Sequence, residues 1–268
     1  MPKIEDATAP ARKILPIIYV IDTSGSMAGT RIAAVNQAMS ETIDVLKDVS
    51  AKNPTAELRI GVLQFASGAS WVTNEDELVF MDDFYWNDLT AGGITDLGAA
   101  MNELHKKMSR TSLFKSEVGF KVPVLIFMSD GGPTDDYKSA LKKITDNNNW
   151  FKISTKICIA IDEDSDVEVL NEIAGCGDKA KGRESVIQVS DMETLKKLIR
   201  VVSVTASMIG AKSRTDSDNT LETVKAIDDV MKDTGGVTMP ETVPTTEPDP
   251  APKPDDGGGT WGSPDDWT

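Results

Sequence analysis

The sequence predicts an α/β domain: a doubly wound, mostly parallel sheet with one antiparallel edge strand. Three observations predict it. Continuously apolar, β-branched runs such as ILPIIYVI (Ile14–Ile21) read as strands buried on both faces. These runs alternate with amphipathic stretches of helical period, the pattern that gives a parallel sheet covered by helices on both sides. One pair of strand-like runs is separated only by Ser67 and Gly68, which is hairpin spacing and not a crossover.

The elements follow in order. After the first strand, Ile32, Val35, Met39, Ile43, Leu46 and Val49 recur at helical spacing within RIAAVNQAMSETIDVLKDVSA. Ala56–Ala66 is the second strand and Ala69–Thr73 its hairpin partner. Thr95–Met108 is a helix that starts just after a glycine pair, and residues 109–121 are a polar connection. Val122–Met128 is a buried strand, DDYKSALKKITDNN a helix, Ser154–Ile161 a strand and DVEVLNEIA a short helix. Ser185–Val189 is the last strand, and DMETLKKLIRVVSVTASMI closes the domain as a helix.

The domain is expected to cover residues 12–210 of the 268. Residues 211–234 read as a linker whose Leu221, Val224, Ile227 and Val230 would line one face of a short helix. Residues 235–268 are rich in Pro, Gly and acids and have little to bury, so a disordered tail is expected.

A net charge of −15 repels nucleic-acid backbones and anionic lipid and favours cations and basic protein surfaces. The apolar run at Ile14–Ile21 is shorter than the roughly 20 residues of a membrane span. Cys158 and Cys176 make neither a disulfide framework nor a zinc site. Two reduced thiols in a cytoplasmic protein are the expectation.

Three loops carry the chemistry, each at the carboxyl end of a strand or the start of a helix. They are Asp22-Thr23-Ser24-Gly25-Ser26, Gly92-Gly93-Ile94-Thr95-Asp96 and Ser129-Asp130-Gly131-Gly132. In a doubly wound sheet such loops converge on one rim, where ligands bind. Ser24, Ser26 and Thr95 would supply hydroxyls, and Asp22 and Asp130 carboxylates. An all-oxygen set with little charge suits a hard divalent ion, Mg²⁺ or Mn²⁺, and not Zn²⁺. Two carboxylates only partly quench such an ion, so it should attract an acid from outside. Taken singly, Ser24, Ser26 and Thr95 also read as helix caps or turn formers. Asp96, Asp135 and Asp136 read as acids in the first turn of a helix.

Together, Asp22-x-Ser24-x-Ser26, the glycine pair with Thr95 and the Ser-Asp130-Gly loop resemble the metal-ion-dependent adhesion site of the von Willebrand factor type A family. The likeness runs from about Arg12 to Met208. LPIIYVIDTSGSM, TAGGITDLGAAM and SDGGPTDD are most similar to its bacterial tellurite-resistance, stress-response (TerY-like) branch. The resemblance implies a Rossmann-like fold, with Ser24, Ser26 and Thr95 touching the metal and Asp22 and Asp130 holding it directly or through water. It implies a non-enzymatic interaction module whose partner fills an open coordination place with an Asp or Glu. It also implies a kinase or phosphatase as a plausible partner.

Other chemistries lack a part. A haloacid dehalogenase-type phosphotransferase needs an acid where Ser24 stands. A serine hydrolase needs a base, and the only histidine, His105, lies in mid-helix. No phosphate-cradling G-x-x-x-x-G-K occurs. A metal-dependent phosphatase or hydrolase at the same site is the alternative, with Asp130 as its base. The tail adds Trp261 and Trp267 around Asp265 and Asp266. Docking of this segment on its own domain or a neighbour's, with an aspartate near the metal and the tryptophans as anchors, is expected.

Overall fold

A computed structural model describes residues 12–212, 216–232 and 237–238. Its first strand, β1 (Lys13–Asp22), shows how sequence period sets the layers. Leu15, Ile17, Tyr19 and Ile21 face one core, and Ile18 and Val20 face the other. A strand with apolar side chains in both registers can only be stable inside a sheet covered on both faces.

β1 lies between β2 (Ala56–Ala66) and β5 (Val124–Ser129), parallel to both. β6 (Thr155–Ile161) and β7 (Val186–Val189) continue the parallel sheet beyond β5. The expected antiparallel strand is β3 (Gly68–Trp71), paired with Leu63–Ala66 of β2. Two-residue strands add to the edges: β4 (Val79–Phe80) against β2, and β8 (Val237–Thr238) against β7. The chain winds from β1 towards β2 on one side and from β5 towards β7 on the other. The switch point therefore falls between β1 and β5, where a crevice opens beyond the strand ends.

One face of the sheet is covered by α1 (Thr30–Lys52), α7 (Met192–Lys212) and α8 (Asp216–Met231). Val224, Ile227 and Met231 of α8 are buried in that same core, whereas Val230 is exposed. The other face carries α2 (Leu97–Lys107), α3 (Tyr137–Asn147) and α5 (Val167–Ala174). The short helix α4 (Asn149–Ile153) adds Phe151 to the core on this face, and α6 (Lys179–Gly182) packs against α5. Met27, Met39, Met101 and Met128 are all fully buried, in keeping with the gap-filling use of methionine.

Cys158 and Cys176 are both free; burial pushes the Cys158 thiol far above its ordinary range. His105 sits near the C-terminal end of α2, away from the strand-end loops. No helix among the described residues is long and apolar enough to cross a membrane. Residues 239–268, with Trp261, Asp265, Asp266 and Trp267, lie outside the described residues.

Candidate metal centre

Asp22 ends β1 and is wholly buried. Both its oxygens are engaged: Oδ1 accepts from the Ser24 backbone N–H (2.8 Å) and Oδ2 from the Ser129 hydroxyl (2.6 Å). Among the described residues no basic side chain pairs with it. Burial raises its pKa above the ordinary carboxylate value; the hydrogen bonds from Ser129 and Ser24 oppose that rise and the nearby Asp130 charge adds to it. A buried carboxylate without a cation is costly, and a bound cation would remove that cost.

From Asp22 the chain turns through a single 3₁₀ turn, Gly25–Met27. This turn places Ser24 Oγ 3.0 Å from Ser26 Oγ. Ser26 Oγ in turn donates to Asp130 Oδ1 at 2.8 Å. Asp130 follows the end of β5, the strand next to β1, so parallel pairing alone brings two carboxylates 108 positions apart in sequence to one rim.

The glycine loop is fixed to the same turn by its backbone. Gly25 N–H donates to the Gly93 carbonyl (3.0 Å), and Gly92 N–H donates to the Thr23 carbonyl (2.8 Å). Gly93 has φ 86°, which favours glycine, and a Cβ there would stand 2.6 Å from Ser67 Oγ. Thr95 is buried; its N–H donates to Thr134 Oγ1 (3.1 Å), and its carbonyl accepts from Thr134 N–H (2.8 Å). Asp22, Ser24, Ser26 and Asp130 thus form one hydrogen-bonded chain, with Thr95 on a loop bonded to it.

The acids read as first-turn residues have other uses. Asp96 precedes α2, and its carboxylate accepts from the Gly68 N–H (2.8 Å), tying the hairpin to the glycine loop. Asp135 serves α2 and not its own helix: its two oxygens accept from Gly98 N–H (2.9 Å) and Ala99 N–H (3.0 Å). Asp136 caps α3 through the Ser139 N–H (3.2 Å).

Sequence reasoning placed Ser129 in the third loop without giving it the role of donor to Asp22, and it missed Arg31. Arg31 NH1 donates to Asp130 Oδ2 (2.6 Å) and to the Ser26 carbonyl (2.9 Å), and NH2 donates to Asp162 Oδ2 (2.6 Å). Arg31 lies in the first turn of α1, where a basic residue reads as solvated; only the packing of β5 beside β6 brings its two acids together.

The donor set is oxygen throughout: two carboxylates and serine hydroxyls 3.0 Å apart. No group of three or more His, Cys, Asp or Glu side chains gathers among the described residues. Chemically this suits a hard divalent ion held largely by neutral oxygens, and it offers nothing to a soft metal.

Solved structures share the fold. One is a von Willebrand factor type A protein from Catenulispora acidiphila: 21% identical, TM-score 0.53, covering 72% of this chain and 42% of that one. The ArnB paralog VWA2 from Sulfolobus acidocaldarius is 17% identical, TM-score 0.50, over 70% of this chain and 45% of that one. Proximal thread matrix protein 1 of the mussel byssus is 18% identical, TM-score 0.50, over 71% of this chain and 47% of that one. The chain thus spans less than half the length of each. No curated protein matches it. The family model of the von Willebrand factor type A domain matches residues 17–201, well over half of the chain, and the chain belongs to that family.

Proposed function

We propose that the rim is a divalent-cation site through which the domain holds the Asp or Glu of a partner protein, without catalysis. Protein interaction is the usual work of this domain family. The carrying observation is Asp22: a fully buried carboxylate with no basic partner among the described residues, at the head of the Ser24–Ser26–Asp130 chain. Asp22, Ser24, Ser26, Thr95 and Asp130 would hold Mg²⁺ or Mn²⁺. The ion would supply an electrophilic seat for an outside carboxylate.

Neither of the two site carboxylates stands free as a base in this structure. Both oxygens of Asp22 are engaged with Ser24 and Ser129, and both oxygens of Asp130 with Ser26 and Arg31. This supports a binding module over a phosphatase or hydrolase. A phosphoester screen with Mg²⁺ or Mn²⁺, run beside Asp130→Asn, separates the two. Turnover lost in that variant would establish the enzyme.

The setting we propose is cytoplasmic, in a bacterial stress-response system of the tellurite-resistance kind or in kinase and phosphatase signalling. The likeness of the three loops to that branch supports it. The tail around Trp261, Asp265, Asp266 and Trp267 would serve as an internal competitor for the ion, and truncation after Gly235 should then raise partner affinity.

Calorimetry with Mn²⁺ and Mg²⁺ on the intact protein and on Ser26→Ala tests the core of this reading. Uptake by the first and a loss of at least about tenfold in the second are expected for removal of one ligand. No ion uptake by the intact protein would end it.

A further inference from the structure

The rim that carries Asp22 and Asp130 is acidic almost throughout. Segments 22–31, 90–97, 129–137 and 161–167 contain one basic residue, Arg31, and every other charged residue in them is Asp or Glu. This one cation is not left in solvent. Its side chain is a quarter exposed and forks between Asp130 and Asp162, each at 2.6 Å, while NH1 also donates to the Ser26 carbonyl.

Asp162 is a fixed anchor. It has φ 81°, a strained value for a non-glycine residue that persists only where the surroundings over-determine it. Its N–H donates to the Val189 carbonyl (2.7 Å), and its carbonyl accepts from Ser165 Oγ (2.8 Å) and Gln188 Nε2 (3.1 Å). Arg31 therefore bridges an inner acid that faces Ser26 and an outer acid at the end of the next strand.

We propose that Arg31 sets the charge of the metal centre, weakening its hold on the divalent ion while keeping that ion receptive to an outside carboxylate. The inference rests on the metal-site reading given above. Asp22 and Asp130 carry two formal charges against a dication, shared with hydrogen bonds from Ser24, Ser129 and Ser26, and so quench it only in part. The guanidinium on Asp130 Oδ2 then leaves the inner cluster with a net positive charge, which an incoming acid neutralises. Without Arg31 the two carboxylates would quench the ion further, on a rim whose other charged residues are acids, and an incoming carboxylate would be held less strongly. Asp162 draws part of the guanidinium charge outwards, so it acts in the opposite sense. Arginine suits this place because a planar fork reaches two carboxylates at once, which an ammonium does not.

The test uses the full chain with Arg31→Gln, Arg31→Lys and Asp162→Asn, and Mn²⁺ as the probe. Mn²⁺ affinity is read by calorimetry at fixed ionic strength. The open place is read by the acetate concentration that displaces water from bound Mn²⁺, followed by water-proton relaxation. Arg31→Gln should bind Mn²⁺ about tenfold more tightly and need about tenfold more acetate, the size of one screened charge interaction at a protein surface. Arg31→Lys should stay near the unsubstituted protein in both readouts. Asp162→Asn should need less acetate. Unchanged Mn²⁺ affinity in Arg31→Gln, or equal effects of Gln and Lys, overturns the role of charge while leaving the metal site standing. No Mn²⁺ uptake by the unsubstituted protein removes the metal reading and this inference with it.

Discussion

The carboxylate of Asp135 closes the N-terminus of a helix to which it does not belong. It accepts from Gly98 N–H at 2.9 Å and from Ala99 N–H at 3.0 Å, satisfying two of the free donors at the start of α2. A Cβ on Gly98 would stand 2.7 Å from Asp135 Oδ2 and 3.1 Å from Tyr137 Cα, so the close approach needs glycine. Asp135→Ala should lower stability by about 1–3 kcal/mol, as expected for loss of a charged acceptor serving two backbone donors. Urea denaturation measures it. Asp136→Ala, which removes one cap bond of α3, should cost less.

A second joint lies under the glycine loop. Asn36 of α1 is buried and clasps Leu89 at both backbone atoms: Nδ2 donates to its carbonyl (2.9 Å), and Oδ1 accepts from its N–H (2.8 Å). Trp86 Nε1 adds a longer bond to the same Oδ1 (3.3 Å). Asn36→Ala should cost about 2–4 kcal/mol, because two backbone groups lose their partner in a buried place. Thermal or urea melts of the variant check it.

Asp22 gives a pH dependence of defined sign. Its folded pKa lies above the ordinary 3.8, chiefly through burial. The fold therefore binds that proton more tightly than the unfolded chain does. Without metal, this group destabilises the fold at neutral pH, and the penalty fades as pH falls through the raised pKa towards 3.8. In EDTA, Asp22→Asn should melt higher than the unsubstituted protein at neutral pH, with the difference shrinking in acid. With Mn²⁺ the order should invert at neutral pH, since only the carboxylate holds the ion.

Gly93→Ala tests the link between backbone and site. A φ of 86° costs a residue with a side chain about 1–2 kcal/mol, and the new methyl would crowd Ser67. The Gly93 carbonyl is also what holds the Gly25 N–H, so ion uptake should weaken together with stability. Calorimetry and a melt on the same sample separate the two losses.

Much of the fold can be read along the chain because it rests on local pattern. β1, β2, β5 and β6 follow from apolar runs, and α1 and α7 from an apolar stripe; their ends fall within a few residues of the expected ones. The convergence of Asp22, Ser24, Ser26 and Asp130 was legible for a related reason. Parallel strands put their ends on one rim, so three loop motifs suffice to place them. Cross-chain partnerships were not legible. Nothing local shows that Asp135 serves α2, that Asp96 reaches Gly68, or that Arg31 joins Asp130 to Asp162, since each pairs residues that only the finished topology makes neighbours. Two-residue strands such as β4 have too little sequence to carry a period.

β8 runs against β7, with Val237 beside Val189 at the rim and Thr238 beside Gln188, one residue farther from it. The backbone of Gln188 and Val189 is thus already paired on its outer side, which closes the rim end of β7 to strand addition by another molecule.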